Sequence, residues 1–389
     1  MAIPLKYNLR NLRVRWRATI ATALGIALTV AVFVMVMALA RGLKATYVNT
    51  GDARNLLVMR KGSTAESSSQ IERSKVLLFK YYDEIARNER GDPVASPEII
   101  VLIQLDRLDG GNANILVRGI GPIGFELRPN VKLIEGRLFQ PGLAECIVSR
   151  KISERFAHCR VGETFRAGKR TWRVTGIFDA TKTTYESEIW TDADEVREAF
   201  SRSFYGSVLL RPKDAAAGAA LIQRLEANKE LFVRVLPESE YYKEQTKNAG
   251  PIQFMGGFLA VIMSIGAAFA AMNTMYASVG ARTREIGTLR VLGYRRRAIL
   301  VGFLIEGVLL ALIGGLIGCA LSPLTIAVLG SSAGTMNFDT FSETVFQFRI
   351  TPALVAKGLF FAAIMGLAGS LLPALRAARL PVIASLRSV

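Results

Sequence analysis

The chain carries a single histidine, His158, and only three cysteines in 389 residues. With no second imidazole there is no histidine pair at metal-ligand spacing, and no base is available for a Ser/His/Asp or Cys/His relay. No metal site is read here, and triad chemistry is excluded. Three cysteines do not make a disulfide framework. Cys319 falls in an apolar run. Cys146 and Cys159 fall in a more polar region, where they are expected as a disulfide, given an oxidising compartment, or as two buried free thiols.

Phosphate-binding sequences are also missing. Gly168-Lys169-Arg170 resembles the end of a P-loop, but five residues rather than four separate it from Gly162, and Arg170 stands where Ser or Thr would hold magnesium. Gly119, Gly121 and Gly124 fit G-x-G-x-x-G. A dinucleotide site needs a helix opening at that turn, and Pro122 followed by 125–130 does not begin an apolar-periodic helix. The segment is read as a loop, and ATP hydrolysis is not expected of these residues.

Charge is absent from long stretches. Residues 18–40 and 252–281 have none, 298–338 have only Glu306, and 350–375 have only Lys357. About 20 apolar residues at 1.5 Å each cross the ~30 Å hydrocarbon layer. Four such runs do not fit a water-soluble core. The expected fold class is a membrane protein with four transmembrane α-helices, over 18–40, 254–278, 299–328 and 352–375. A large α/β extracytoplasmic domain, 41–250, is inserted between helices 1 and 2. Ala38-Leu39-Ala40 imitates a signal-peptide cleavage site. The apolar run before it is longer than the ~7–15 residues of a signal core, so the first helix is read as retained.

Acid is missing from 1–17, which hold Lys6, Arg10, Arg13, Arg15 and Arg17. In 282–297, six arginines face Glu285 alone, and the tail, 376–389, carries Arg376, Arg379 and Arg387. By contrast, 41–250 hold 33 basic and 28 acidic residues. Four spans place the three basic segments on one side, as the positive-inside rule requires. The net charge of +17 is therefore a topology signal. No nucleic-acid partner is expected, since no base-reading or stacking residues accompany the charge. The termini and 279–298 are expected in the cytoplasm and 41–250 across a bacterial inner membrane. Residues 1–17, with Leu9, Leu12 and Trp16 among arginines, suit an interfacial helix lying on membrane lipid.

Within 41–250, β-branched and apolar runs bounded by Gly, Pro, Asn or Asp predict strands over 55–60, 98–105, 114–120, 146–149, 171–178 and 207–211. Helices are predicted over 75–88, 151–157, 192–200 and 214–228, with Asp192 and Asp214 as N-caps. The Ser-rich 62–70 predicts a mobile loop. Residues 41–47 and 239–248 predict helical stalks leading out of the first span and into the second.

The basic loop reads Arg282-Thr-Arg284-Glu285-Ile286-Gly287-Thr288-Leu289-Arg290-Val-Leu292-Gly293-Tyr294. On a helix Ile286, Leu289 and Leu292/Gly293 share one face, with Arg290 and Arg297 off it. Such a helix can float on anionic lipid or sit in a groove of a cytoplasmic partner, and composition does not separate the two.

The stretch Arg284–Arg290 followed by Leu292-Gly293 closely resembles the signature of MacB/LolC/FtsX-like ABC-transporter permeases. Phe303–Gly307, glycines 314, 315 and 318, and Pro373–Arg379 resemble that family too. Weaker likenesses are Glu135-Gly136-Arg137, Trp172–Phe178 and Glu186–Trp190. The resemblance implies a permease homodimer or heterodimer working with ATPase subunits that hold the ATP and Mg. It implies an ATPase-coupling helix formed by Arg284, Glu285, Ile286, Gly287, Leu289, Arg290, Leu292 and Gly293. ATP-driven closure would reach the outer domain through the stalks. No fused ATPase domain is present in these residues, an arrangement similar to the DevC-like glycolipid-exporter branch, which pairs with a membrane-fusion protein and, through it, an outer-membrane channel. The expected cargo is a lipid, glycolipid, peptide or drug-like molecule. An FtsX-type regulator of an extracytoplasmic hydrolase, or a membrane sensor, are the alternatives.

Inside the spans, Glu306 lies roughly 12 Å from the near end of its helix at 1.5 Å per residue, at a level comparable with Asn273 and Ser370. An intramembrane carboxyl is costly and faces the bundle interior. It is expected to be protonated and hydrogen-bonded to Asn273 or Ser370. Gly266, Ala267, Ala270, Ala271, Gly314 and Gly318 allow close helix approach, within the chain for the third span, and within the chain or at a dimer seam for the second.

Overall fold

The structure, a computed structural model, describes residues 16–180, 182–246, 250–329, 335–336, 344–345, 348 and 350–381. Expectations for 1–15, most of 329–351 and the tail after 381 lie outside the described residues. The chain divides into two units, one of Met1–Arg41, Gly250–Ala333 and Phe348–Val389, the other of Gly42–Ala249 and Gly334–Gln347.

The first apolar run folds as α1 (Trp16–Val48). Ala23, Ile26, Ala27, Val30, Val34 and Ala38 recur at three- and four-residue spacing and are all buried, while Ile20, Leu24 and Leu28 stay exposed. The helix runs past 40 through the segment predicted as a stalk.

In the second unit the order is β1 (Leu56–Arg60), β2 (Ile71–Glu72), α2 (Arg73–Leu78), β3 (Ala95–Asp106), β4 (Asn112–Ile120), α3 (Gly124–Leu127), β5 (Lys132–Gly136), β6 (Glu145–Ser149), α4 (Arg150–Arg155), β7 (Thr164–Ala167), β8 (Arg170–Asp179), β9 (Glu188–Asp192), α5 (Ala193–Ala199), β10 (Phe204–Tyr205), β11 (Ser207–Leu210), α6 (Ala215–Ala227), β12 (Val233–Pro237) and α7 (Glu238–Gln245). Ten strands form one mixed sheet ordered β12-β1-β11-β3-β4-β9-β6-β8-β5, with β7 also on β8. The β4/β9 and β6/β8 pairs are parallel, the rest antiparallel.

All six predicted strands form. Asp192 and Asp214 cap α5 and α6, accepting from the amides of Asp194 and Ala217. The helix predicted over 75–88 is cut short. It stops at Leu78, because Phe79 and Ile85 are both drawn into the core and Ile85 bridges to Pro212. The segment 62–70 is not a free loop: Glu66 and Ser69 are buried. At G-x-G-x-x-G, β4 ends on Ile120 and a single helical turn, α3, follows Pro122. Gly119 is explained by packing, since a Cβ there would lie 2.7 Å from the Ala193 Cα of α5.

Strand alternation sends side chains to two cores. In β1, Leu56 and Val58 join one cluster with Ile99, Val117 and Val196, and Leu57 and Met59 join the other with Phe178, Tyr185, Trp190 and Tyr242. Glu98 in β3, Arg118 in β4 and Glu188 in β9 point to that second, aromatic side.

In the first unit, α8 (Gly250–Ala281) is followed by α9 (Thr283–Val291), α10 (Arg296–Leu329) and α11 (Pro352–Arg379). With α1, helices α8, α10 and α11 are long and apolar enough to cross a membrane. Small residues set their spacing. A Cβ at Gly314 would lie 2.7 Å from the Ala23 carbonyl oxygen of α1, and one at Gly366 would lie 2.7 Å from the Gly307 carbonyl oxygen of α10. The third-span glycines therefore pack within the chain, as expected. The second span divides: Ala267 and Ala271 are buried, the latter near Gly369 of α11, whereas Gly266 and Ala270 face outward. Arg41 donates to Thr351 (2.8 Å), the N-cap of α11, and the Thr22 and Thr274 hydroxyls hydrogen-bond at 2.7 Å.

Candidate functional site

The signature segment folds as the nine-residue helix α9, joined to α8 through Arg282. Its start is tied back by the Thr283 hydroxyl, which donates to the Gly280 carbonyl at 2.8 Å. Its end is set by Gly293, whose φ of +93° is the left-handed conformation that favours glycine, and the Tyr294 amide donates back to the Leu289 carbonyl. Ile286 and Gly287 are buried, and Ile286 joins a cluster that includes Val279, Phe303 and Ala374.

The expected single apolar face is not what forms. Ile286 is inward, Leu289 is half-buried, and Leu292 is 68% exposed beside Val291 at 63%. The helix ends before Leu292 can continue the stripe. The outward surface is Arg284, Glu285, Thr288, Val291 and Leu292, with Arg290 half-buried.

Arg282 carries the largest departure from expectation. Its guanidinium is buried and meets Glu306 of α10 in a two-pronged ion pair, Nη1 to Oε2 at 2.9 Å and Nη2 to Oε1 at 3.1 Å. Glu306 is therefore bonded to Arg282 and not to Asn273 or Ser370. A planar guanidinium satisfies both carboxylate oxygens at once, which a single amide or hydroxyl cannot. Ser370 instead donates to the Gly366 carbonyl at 2.7 Å, and Asn273 is exposed on α8. The pair fixes the first residue before α9 to the body of α10. Arg282 sits 24 positions from its partner, in the basic segment whose expected neighbours are anionic lipid or the groove of a cytoplasmic partner. The available signal was the rule that a buried acid needs a cation.

Sequence reading also missed a second constellation, in the α/β unit. Arg118 donates to Glu188 from Nε (2.8 Å), to Glu98 from Nη1 (2.8 Å) and to Glu66 from Nη1 (3.1 Å). Arg128 donates to both oxygens of Glu98 and, through Nε, to the Tyr185 hydroxyl. Glu238, the first residue of α7, accepts from the Asp52 amide, the Asn55 side chain and the Tyr185 hydroxyl. Burial would push Glu98 up, but Arg128 and Arg118 outweigh it and hold the carboxyl below its usual range. Burial prevails at Glu238 and raises it, Arg128 and Asn55 notwithstanding.

These two carboxyls oppose each other in acid. The lowered Glu98 contributes stability above the usual carboxylate range, and that contribution is lost as pH falls through its folded value. The raised Glu238 favours the folded state at low pH, and its contribution is lost as pH rises above the usual range. Glu238→Gln is therefore expected to flatten the decline in melting temperature between about pH 4.5 and pH 7, as read by intrinsic tryptophan fluorescence. An unchanged pH profile would remove Glu238 from this role.

Cys146 and Cys159 are free and buried. Burial pushes the Cys146 thiol well up and the Cys159 thiol up to about 12, so neither is a ready nucleophile at neutral pH. No cluster able to hold a metal occurs among the described residues.

Residues 19–228 match the model of the MacB-like periplasmic core domain, and 257–382 match the FtsX-like permease C-terminal model. The chain belongs to the MacB/FtsX-like family of ABC-transporter permeases. The permease is 26% identical over 398 residues to the macrolide export ATP-binding/permease protein MacB 2 of Aeromonas hydrophila, covering 95% of this chain and 58% of the relative. It is 30% identical over 223 residues to the uncharacterized ABC transporter permease YknZ of Bacillus subtilis, covering 55% of this chain and 52% of the relative. The periplasmic region of MacB from Actinobacillus actinomycetemcomitans superposes with a TM-score of 0.39 at 16% identity, over 52% of this chain and 96% of that one. The permease spans about half the length of the curated relatives it matches.

Proposed function

We propose that the permease is the transmembrane subunit of an ABC exporter, and that α9 is where a cytoplasmic ATPase docks. The observation that carries this reading is a short helix with an outward Arg284/Thr288/Val291/Leu292 surface, anchored at its first turn by the buried Arg282–Glu306 pair. A helix that rotated freely against its span would dissipate any push delivered to it; one locked to α10 passes the push on. Membership of the family supports an ATP-binding partner and a dimer of permeases. The charge pattern supports placing α9 and both termini in the cytoplasm and the α/β unit across the inner membrane. ATP and Mg would then be held by the partner, and the permease would move cargo by displacing its outer domain. Export of a lipid, glycolipid, peptide or drug-like molecule remains the leading cargo class.

Leu292→Asp is expected to abolish co-purification of the ATPase while leaving the melting temperature of the permease unchanged, because Leu292 is exposed. Pull-down of the tagged chain from detergent, with mass-spectrometric identification of bound ATP-binding proteins, measures it. Retention of the ATPase by the variant would sink the docking assignment.

A further inference from the structure

A cavity of about 140 Å³ opens within the α/β unit, where Tyr47 of α1, Tyr241 and Tyr242 of α7, Glu66, Arg118 and Glu188 come together. It is too large for a packing defect and holds room for several waters or a short-chain organic group. The charge of its wall selects what enters. Arg118 is the one cation among the residues lining it, and every arm of that guanidinium is engaged: Nε on Glu188, Nη1 on Glu66 and Glu98, Nη2 on Glu66 and Glu188. It has no N–H left to recruit an anion.

The carboxylates exceed what the arginines neutralise. Four (Glu66, Glu98, Glu188 and Glu238) meet two guanidiniums, Arg118 and Arg128. Two of those four line the cavity. The remaining wall offers hydroxyls, which can accept as well as donate, and aromatic surface. The Thr184 hydroxyl, which lines it, is buried with no hydrogen-bond partner among the described residues. The three tyrosines supply ring surface of the kind that attracts organic cations. Ile100 and Leu116 add an apolar strip.

We propose that this cavity is a binding site for a small organic ammonium group, seated between the Glu66 and Glu188 carboxylates and the tyrosines with its alkyl part on Ile100 and Leu116. Because Tyr47 lies on the segment by which the chain enters the unit, and Tyr241 and Tyr242 on the helix by which it leaves, an occupant bears on both segments. The site rests on the cavity alone, and neither an ATPase nor transport is needed to test it.

The experiment is saturation-transfer NMR on the full chain in lipid nanodiscs, without nucleotide or partner. Propylammonium chloride is titrated at constant ionic strength against sodium propionate and 1-propanol. A saturable signal is expected for propylammonium, with the other two at least about tenfold weaker. Ser67→Trp, at the exposed rim, blocks the cavity without touching the ion network, and is expected to weaken propylammonium binding about tenfold or more at an unchanged melting temperature. Ala65→Trp, at a second rim position, is made in parallel so that a folding defect in one variant leaves the other to decide. Equal signals from all three probes, as for a cavity that holds only water, would overturn the proposal. So would propylammonium binding undiminished in the folded rim variants.

Discussion

Arg282→Ala is expected to be among the most damaging single changes in the membrane-spanning unit. It leaves the Glu306 carboxylate buried without its cation, and breaking a buried pair from one side costs about 3–5 kcal/mol. The loss should appear as a large fall in melting temperature in nanodiscs. Removing both partners together is a different perturbation. In Arg282→Met with Glu306→Leu no charge is stranded, and replacement of a buried pair by apolar residues of similar volume is often neutral or stabilising. The double variant should therefore recover most of the stability. If the pair positions α9, the double variant should still fail to couple, with its ATPase partner bound but cargo-stimulated hydrolysis lost. An Arg282→Ala protein that melts like wild type would show the pair to be energetically idle. A double variant with normal coupling would show it to be structural only.

Arg118→Met should be the most damaging single change in the α/β unit. Three carboxylates, Glu66, Glu98 and Glu188, converge on this one guanidinium, and the arginine itself is 2% exposed. Its loss strands like charges together in the core, at a cost of about 3–5 kcal/mol or more. Arg118→Lys is not expected to rescue, because an ammonium cannot reproduce five planar donors spread over three partners. Glu66→Gln on the Arg118→Met background should recover part of the loss by removing one of the stranded charges. Trp190 reports on the same network, since its indole N–H donates to Glu188 at 2.7 Å. Its emission should shift to the red as the unit opens in the variant. Wild-type emission and melting in Arg118→Met would refute the claim that this network holds the domain together.

The long apolar helices were legible because the membrane imposes its own statistics: a run such as 252–281 with no charge has few other physical uses. Strands such as 114–120 and 146–149 were legible from composition, and Asp192 and Asp214 from the capping rule. Four main-sheet strands escaped. Lys132–Gly136 is exposed along its whole length and gives no alternating pattern, while Glu188–Asp192 is buried along its whole length and gives none either. Thr164–Ala167 and Val233–Pro237 are the other two. The helix over 75–88 was over-read because local propensity could not register the pull of Phe79 and Ile85 into the core.

By itself, the sequence determined that this chain has four membrane-length helices, a mixed domain between the first and second, and a short basic helix between the second and third. Each of those follows from residues near one another in the chain. The tertiary structure alone decided which charges meet. Arg282 pairs with a residue 24 positions away, and Arg118 with residues 20, 52 and 70 positions away. Strand register and helix packing bring them together. A charged side chain looks the same in sequence whether it ends in solvent or against a buried partner, because desolvation and pairing are properties of the assembled core.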